Sequence, residues 1–176
     1  MNEIIKKNGI NYGIITGVIS ILITTLIYVI DLELFTSMWI GLTSIALYIV
    51  IGVVLLSKTK KDLKGIFSFK DAFTTYFISA VVGILISVTF NIILFNLIDP
   101  AAKETIKELT MKYTAEMLQK FGTPAEAMNK ALAEMDKTDQ FSPVSLLKSS
   151  IFSILFSSVF GLILALIFKS KPSYQQ

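Results

Sequence analysis

The sequence contains no cysteine, no histidine and no arginine. Without cysteine the chain cannot form a disulfide, a thiolate metal site or a cysteine nucleophile, and without histidine it lacks the side chain that most often carries protons near neutral pH. It also contains no Walker A loop, no H-E-x-x-H motif and no nucleophile elbow. These absences exclude much catalytic chemistry, and we expect no catalytic residue, no cofactor and no metal ion.

Charged residues are scarce as well: they make up 16% of the 176 residues, whereas hydrophobic residues make up 53% and the mean hydropathy is +0.69. Soluble globular domains are about 45–50% apolar even when glycine is counted. Most of the chain is therefore expected to lie in a lipid bilayer. The net charge of +3 comes from lysines beside apolar segments, which is typical of membrane topology signals and not of nucleic-acid binding.

Four segments are long and apolar enough to cross a bilayer, which takes roughly 20 residues. They lie at about 9–30, 34–57, 70–98 and 143–169. Recognisable caps mark the helix starts that border the last two spans, namely Ser68 with Asp71 three residues later, Asp99 before Pro100, and Ser142 before Pro143. We therefore predict an all-α membrane protein with four transmembrane helices, the first three within 1–98.

Lysines in short segments indicate the orientation of the spans. They occur before the first span, at 58–70 after the second, and after the fourth, as Lys6, Lys7, Lys58, Lys60, Lys61, Lys64, Lys70, Lys169 and Lys171. The short turn between the first two spans carries Asp31 and Glu33 instead. Because lysine-rich segments stay in the cytoplasm, we predict that both termini are cytoplasmic, including the tail at 170–176.

The polar segment 99–142 is predicted to form an extracytoplasmic helical hairpin. Its first helix ends at Gly122, and Thr123 with Pro124 is predicted to cap and begin the second. Helices this short rarely persist in water without burying an apolar stripe. Three uses of the stripe stay open: it holds the two helices together, seats them on the membrane, or binds a partner, either a second copy of the chain or another membrane protein. The partner surface would comprise Met111, Tyr113, Met117 and Phe121.

Small residues recur every four positions on three of the spans. Such rows let membrane helices approach closely, so we predict helix contacts there, although the row on the first span would also suit a substrate groove. The residues concerned are Gly9, Gly13 and Gly17, then Ser79, Gly83 and Ser87, then Ser153, Ser157 and Gly161.

Asn91 is the polar side chain that the sequence places well inside the third span. It lies roughly 9 Å from the middle of the span, within a hydrocarbon half-thickness of about 15 Å. Its amide needs partners there. We expect a hydrogen bond to a serine of another helix, and the alternative is a polar contact with a transported or bound molecule.

Three motifs resemble a known family. They are K-x-G-x-x-Y-G-x-x-x-G beginning at Lys7, F-S-F-K-D-A-F at 67–73, and F-N-x-I-D-P at 95–100. In order and spacing the chain is similar, over nearly its whole length, to the bacterial membrane family called domain of unknown function 4199. The resemblance implies a four-span protein of the bacterial inner membrane with a variable polar segment before the last span. It implies no activity and no catalytic residues.

Three function classes remain open on these grounds. The first is a non-enzymatic interaction or assembly subunit that uses the hairpin. The second is a small transporter or channel with a polar path lined by Asn91 and helix serines, and the third is a membrane enzyme. We rank them in that order, because an enzyme would need a cluster of catalytic groups that the sequence does not contain.

Overall fold

The computed structural model describes residues 2–170, so Met1 and 171–176, which include Lys171 and most of the predicted tail, lie outside the described residues. The described chain is helical and contains no strand. Its six α-helices are α1 Glu3–Ile30, α2 Met38–Asp62, α3 Phe69–Ile93, α4 Pro100–Lys120, α5 Ala125–Lys137 and α6 Pro143–Phe168. The prediction of an all-helical protein with four long apolar helices is confirmed, since α1, α2, α3 and α6 are each long and apolar enough to cross a membrane.

Two short irregular segments sit at helix junctions. Residues Leu32–Thr36 form a 3-10 turn rather than the start of the second span, because the Asp31 carboxylate accepts a hydrogen bond from the Glu33 amide at 2.9 Å. Residues Leu94–Ile98 form a π-helical turn, in which the Asp99 amide donates to the Leu94 carbonyl at 2.8 Å. Such turns re-aim the side chains that follow them and occur often at functional sites.

Most helix starts follow the capping pattern read from the sequence. Ser68 accepts a hydrogen bond from the Asp71 amide at 3.1 Å, Asp99 accepts from Ala101 and Ala102, each at 3.1 Å, and Ser142 accepts from Ser145 at 3.2 Å. The start predicted for the second hairpin helix is wrong. Thr123 does not cap it, and Pro124 precedes it with an extended ψ of 141°.

The reason is that Thr123 belongs to the end of α4. Gly122 has a positive φ of 70° there, and its amide donates to the Gln119 carbonyl at 3.0 Å. The Thr123 amide donates to the Leu118 carbonyl at 3.0 Å. This pair of bonds is a Schellman motif, which satisfies the last carbonyls of a helix.

The long helices alternate in direction, so each end of the bundle has a distinct set of contacts. At the end that we call the lysine end, Asn8 of α1 donates to Thr59 and Asp62 of α2, at 3.2 and 2.9 Å. At the opposite end, the hairpin end, the Tyr28 hydroxyl donates to the Asp99 carboxylate at 2.9 Å. These bonds fix which helix termini lie together.

The closest helix pair is α1 with α3, followed by α3 with α6. Along α1 the faces of Gly9, Gly13 and Gly17 lie against Ile78, Val82 and Ile86 of α3. A β-carbon at Gly13 would lie 2.6 Å from the Val82 β-carbon and 2.9 Å from the Ser79 carbonyl oxygen. These contacts leave no room for a side chain, so α1 and α3 form a tightly packed central pair.

Large apolar side chains cover the outside of this bundle. Trp39 is 79% exposed, Phe152 73% and Val29 71%. Water-soluble monomers rarely expose an apolar surface of this extent, whereas a protein in contact with lipid hydrocarbon does.

We expect Gly13→Ala to destabilise the protein, because its new methyl group would overlap Val82 and the Ser79 carbonyl; overpacking of this kind costs about 1–3 kcal/mol. Gly41→Ala is the matched control, since nothing lies within 4 Å of the β-carbon position there. In mild detergent, the midpoint of thermal unfolding should be lower for Gly13→Ala than for the parent protein. The midpoint of Gly41→Ala should not be lowered. Equal midpoints would contradict the close approach of α1 and α3.

Candidate functional site

A cavity of about 410 Å³ lies between α2, α3 and α6, with a contribution from α1. None of the described residues that line it is charged, and its wall combines apolar side chains with a series of hydroxyl and amide groups. No group of three or more acidic side chains that could hold a metal ion occurs within residues 2–170. The polar lining residues are Thr16, Ser20, Tyr48, Tyr76, Ser79, Ser87, Asn91, Ser149, Ser150, Ser153 and Ser157. We call this space the cleft.

The cleft is closed toward the lysine end by Tyr76. Its ring lies between Gly52 of α2 and Gly161 of α6, where added β-carbons would come within 2.7 and 2.6 Å of ring atoms. Tyr76 is only 8% exposed, and its hydroxyl lies 3.3 Å from the Ser157 hydroxyl. Glycine is needed at both positions because any side chain would displace the ring. Three helices therefore meet at one aromatic side chain.

From that contact toward the hairpin end, α2 and α6 separate. No residue in the first half of α2, 38–50, is buried, and a β-carbon added at Gly41 would meet no side chain or other helix of the described chain within 4 Å. Ser149 and Ser153 of α6 are exposed although they line the cleft. Ile45 and Phe156, which also line it, are 38% and 60% exposed. The cleft therefore opens sideways, through the gap between two apolar helices.

An aromatic cluster lies beyond the cleft at the hairpin end. Phe95, 1% exposed, contacts Phe35 and Phe141 with ring centroids 5.9 and 4.7 Å apart. Phe35 precedes α2 and Phe141 precedes α6, so the starts of both helices are attached to the π-helical turn of α3. The Asn96 amide strengthens this attachment by donating to the Phe141 carbonyl at 2.9 Å. The two helices that border the opening are thus held at both ends and separated between them.

The predicted small-residue rows are divided between helix contacts and the cleft. Gly83 lies against Thr16 and the Gly13 carbonyl of α1, at 3.1 and 3.2 Å from an added β-carbon, and the hydroxyls of Ser20 and Ser87 are 2.8 Å apart. Ser79, Gly83 and Ser87 also border the cleft. On α6, Gly161 packs against the Tyr76 ring and the Ser157 hydroxyl lies 3.3 Å from the Tyr76 hydroxyl, whereas Ser153 is exposed at the cleft.

Asn91 borders the cleft, and its expected hydrogen bond to a serine does not form among the described residues. In this half of α3 the polar contacts with other segments are made instead by Ser87, which bonds to Ser20, and by Asn96 in the π-helical turn, which bonds to the Phe141 carbonyl. The Asn91 amide therefore retains a donor and an acceptor at the cleft wall.

The hairpin is attached to the bundle by the first turns of α4. Ala102 and Ile106 are 4% and 2% exposed and pack against Leu94 and Phe95. Of the predicted partner surface, Met111, Tyr113 and Met117 are half-buried, and Phe121 is 78% exposed. The apolar stripe of α4 is therefore partly used for docking, and Phe121 is the member of the set that stays fully open.

Two ion pairs join the helices of the hairpin at its base. Lys103 contacts Asp139 and Lys107 contacts Asp136, each at 2.9 Å. The hydrogen bond from Lys103 lowers the pKa of Asp139 below its ordinary value, and the hydrogen bond to Asp136 raises the pKa of Lys107. Both shifts favour the charged forms of Asp139 and Lys107, and the two ion pairs favour the antiparallel arrangement of the hairpin.

The sequence indicated the polar groups that line the cleft. It did not indicate the two sets of contacts that close the cleft at its ends, namely the packing of Tyr76 and the cluster around Phe95. Gly52 and Gly161 stand out in the sequence as small residues, yet nothing in it pairs them with Tyr76. Phe95 belongs to the F-N-x-I-D-P motif at 95–100, which is the signal that could have marked it. Phe35 and Phe141 carry no comparable signal, since aromatic residues are common near the ends of membrane helices.

Comparison with known proteins identifies a family and nothing more specific. No curated protein and no solved structure matches the chain. A family model described as "Protein of unknown function (DUF4199)" matches residues 11–170, which include α2, α3 and the whole of the cleft lining. The chain therefore belongs to the DUF4199 family, as its sequence motifs predicted.

Proposed function

We propose that this protein binds a small molecule in the cleft, within the membrane. The observation that carries the proposal is an uncharged cavity of about 410 Å³, closed by Tyr76 at one end and bordered by Asn91 and several serines. Small-molecule sites typically have volumes of about 300–1,000 Å³, with a mostly apolar lining and a few polar groups that orient the ligand. The cleft fits this description in both size and composition.

The polar groups along the cleft are suited to ligand binding. The Ser153 hydroxyl donates to the Ser149 carbonyl at 3.0 Å, and this bond leaves its oxygen free to accept another hydrogen bond. Asn91 offers both a donor and an acceptor. The seal at Tyr76 disfavours a continuous pore, so among the transport-related alternatives we favour a binding protein or carrier over an open channel.

The test is whether a bound molecule is lost when the cleft is filled. The protein is purified in mild detergent and denatured, and the released small molecules are quantified by mass spectrometry. We expect a molecule at up to one per chain, lost in Ser153→Trp because the indole occupies the cleft. Ile151→Trp is the matched control, since Ile151 lies on the same helix, is 59% exposed and does not line the cleft. Equal recovery from both variants would contradict the proposal.

We also propose that the protein resides in a bacterial inner membrane with both termini in the cytoplasm and the hairpin outside. The support is the charge distribution. Lys6, Lys7 and the loop lysines at 58–70 share the lysine end, whereas the opposite end carries Asp31, Glu33 and a hairpin with nearly balanced charge. Hydrogen bonds between Phe67 and Ser170, at 2.7 and 2.9 Å, keep the end of α6 at the lysine end as well.

The hairpin supports a second proposed role, contact with another polypeptide. Phe121 favours it, because an aromatic side chain that is 78% exposed at the turn between α4 and α5 has no packing role within the described chain. Such a contact would make the protein an interaction subunit as well as a binding protein.

A single introduced cysteine can test both the placement and the contact, because the chain has no native cysteine. We expect Phe121→Cys to react with a membrane-impermeant maleimide in intact cells, and Ile66→Cys, in the loop at the lysine end, to react only after permeabilisation. A photo-crosslinker on Phe121→Cys should then capture one specific protein. Labelling of Ile66→Cys alone in intact cells would overturn the orientation, and crosslinking to lipid alone would overturn the contact.

A further inference from the structure

We infer that the ligand of the cleft is an uncharged, single-chain amphiphile that enters sideways from the bilayer, with a hydroxyl or carbonyl headgroup and one hydrocarbon chain. This inference rests on the proposed binding function and specifies its ligand class. It follows from where the cleft opens, which groups line it and how large it is.

The opening lies away from both ends of the bundle, mostly among apolar side chains, with the exposed Ser149 and Ser153 beside them. Tyr76 closes the cleft toward the lysine end, and the cluster of Phe35, Phe95 and Phe141 ties the two flanking helices to α3 at the hairpin end. Between these closures, the lining residues Ile45 and Phe156 are partly exposed on helices whose outer faces are apolar. A molecule that passes through this gap comes from hydrocarbon and not from water.

The lining selects against charge. Within residues 2–170 no lysine, aspartate or glutamate borders the cleft, so an ionised group inside would find no counter-charge among them and would lose its hydration. Neutral hydroxyl or carbonyl groups, in contrast, can bond to the serines of α6 and to Asn91. Tyr48 of α2 borders the cleft as well and adds a phenolic group opposite these residues.

The lining offers both hydrogen-bonding groups and apolar surface, which are the two kinds of contact that an amphiphile needs. Toward the hairpin the cleft is lined by Ser149, Ser153 and Asn91 together with Ile45 and Leu146. Toward Tyr76 the two large rings of Phe156 and Phe160 line it beside the smaller Ser79 and Ser157, whose hydroxyl lies 3.3 Å from that of Tyr76. A volume of about 410 Å³ is near the low end of the range for small-molecule sites, which suits one slender molecule better than a two-chain phospholipid. The rest of a hydrocarbon chain can extend through the lateral opening into the bilayer.

The probe for this inference is a brominated monoacylglycerol, whose bromine atoms quench tryptophan fluorescence on contact. The full-length protein is studied in phosphatidylcholine nanodiscs with Trp39, its single tryptophan, replaced by phenylalanine. Phe156→Trp then places a fluorophore at the cleft. Phe152→Trp is the matched control, because Phe152 is 73% exposed on the same helix but does not line the cleft.

We expect quenching of Phe156→Trp to saturate at a mole fraction about tenfold below that needed for Phe152→Trp, which corresponds to about 1.4 kcal/mol of preference for the cleft. Unbrominated monoolein should relieve the quenching. N-oleoyltaurine, which has a similar chain and a permanent charge, and glycerol, which has hydroxyls and no chain, should not. Adding Ser153→Phe to the Phe156→Trp protein should abolish the preference by filling the cleft.

Equal quenching of the two tryptophans would overturn the inference, as would relief by N-oleoyltaurine or by glycerol alone. Rapid disulfide dimers of Ser153→Cys would also overturn it, since a second copy would then occupy the cleft. These failures are distinct from failure of the proposed binding function. Suppose that the parent protein releases a charged or water-soluble molecule in the release experiment and that Ser153→Trp does not. The binding site would then stand, and only the ligand class would be wrong.

Discussion

The packing of Tyr76 between Gly52 and Gly161 is the contact on which the shape of this protein depends. It sets the height in the bundle at which α2 and α6 both contact α3. From that height toward the hairpin end, α2 and α6 separate from each other. Because the ring occupies the space that two side chains would otherwise fill, the closure needs glycine on both flanking helices. The apolar cluster around it includes Leu56, Phe67 and Leu164, which makes the lysine end the well-packed end of the bundle.

The helices divide into a close pair and two flanking members. The glycines of α1 bring it against α3 along much of its length, whereas the first halves of α2 and α6 have few neighbours and are attached through Phe35 and Phe141 to Phe95. In water such sparsely packed segments would be unfavourable, because their apolar surface would be exposed. In hydrocarbon that cost disappears, and van der Waals packing and polar contacts decide where helices touch. A lateral opening is therefore compatible with a stable bundle in a membrane.

Local signals in the sequence were sufficient for the helices and most of their caps. The uncharged runs, together with Ser68, Asp99 and Ser142, depend on neighbouring residues only, so they can be read without tertiary information. The π-helical turn escaped prediction because it differs from an α-helical end by one hydrogen bond, from Asp99 to Leu94. Thr123 was assigned to the wrong helix, since a threonine before a proline resembles a start whether or not the preceding glycine has already ended a helix.

The cleft could be predicted only in part, and the reason lies in the row of small residues on α6. Ser153 and Gly161 belong to the same row of small residues spaced four apart. Yet Gly161 packs against Tyr76, whereas Ser153 is exposed at the opening. Which of the two occurs depends on where the helices cross, and that depends on a large residue of another helix. For the same reason the sequence could not show that Asn96 would make the contact expected of Asn91: Asn96, in the π-helical turn, donates to the Phe141 carbonyl, and Asn91 stays at the cleft wall.

The central claim is that α2 and α6 touch at Tyr76 and separate toward the hairpin. The most direct test is to measure spin-label distances by pulsed electron resonance in lipid bilayers for two label pairs at matching heights. Val54 with Ile163 reports on the level near Tyr76 and Leu42 with Phe152 on the level of the lateral opening, and all four side chains are exposed. The account predicts a longer distance for Leu42 with Phe152. A distance equal to or shorter than that between Val54 and Ile163 would mean that the helices run together along their whole length, and would contradict the cleft.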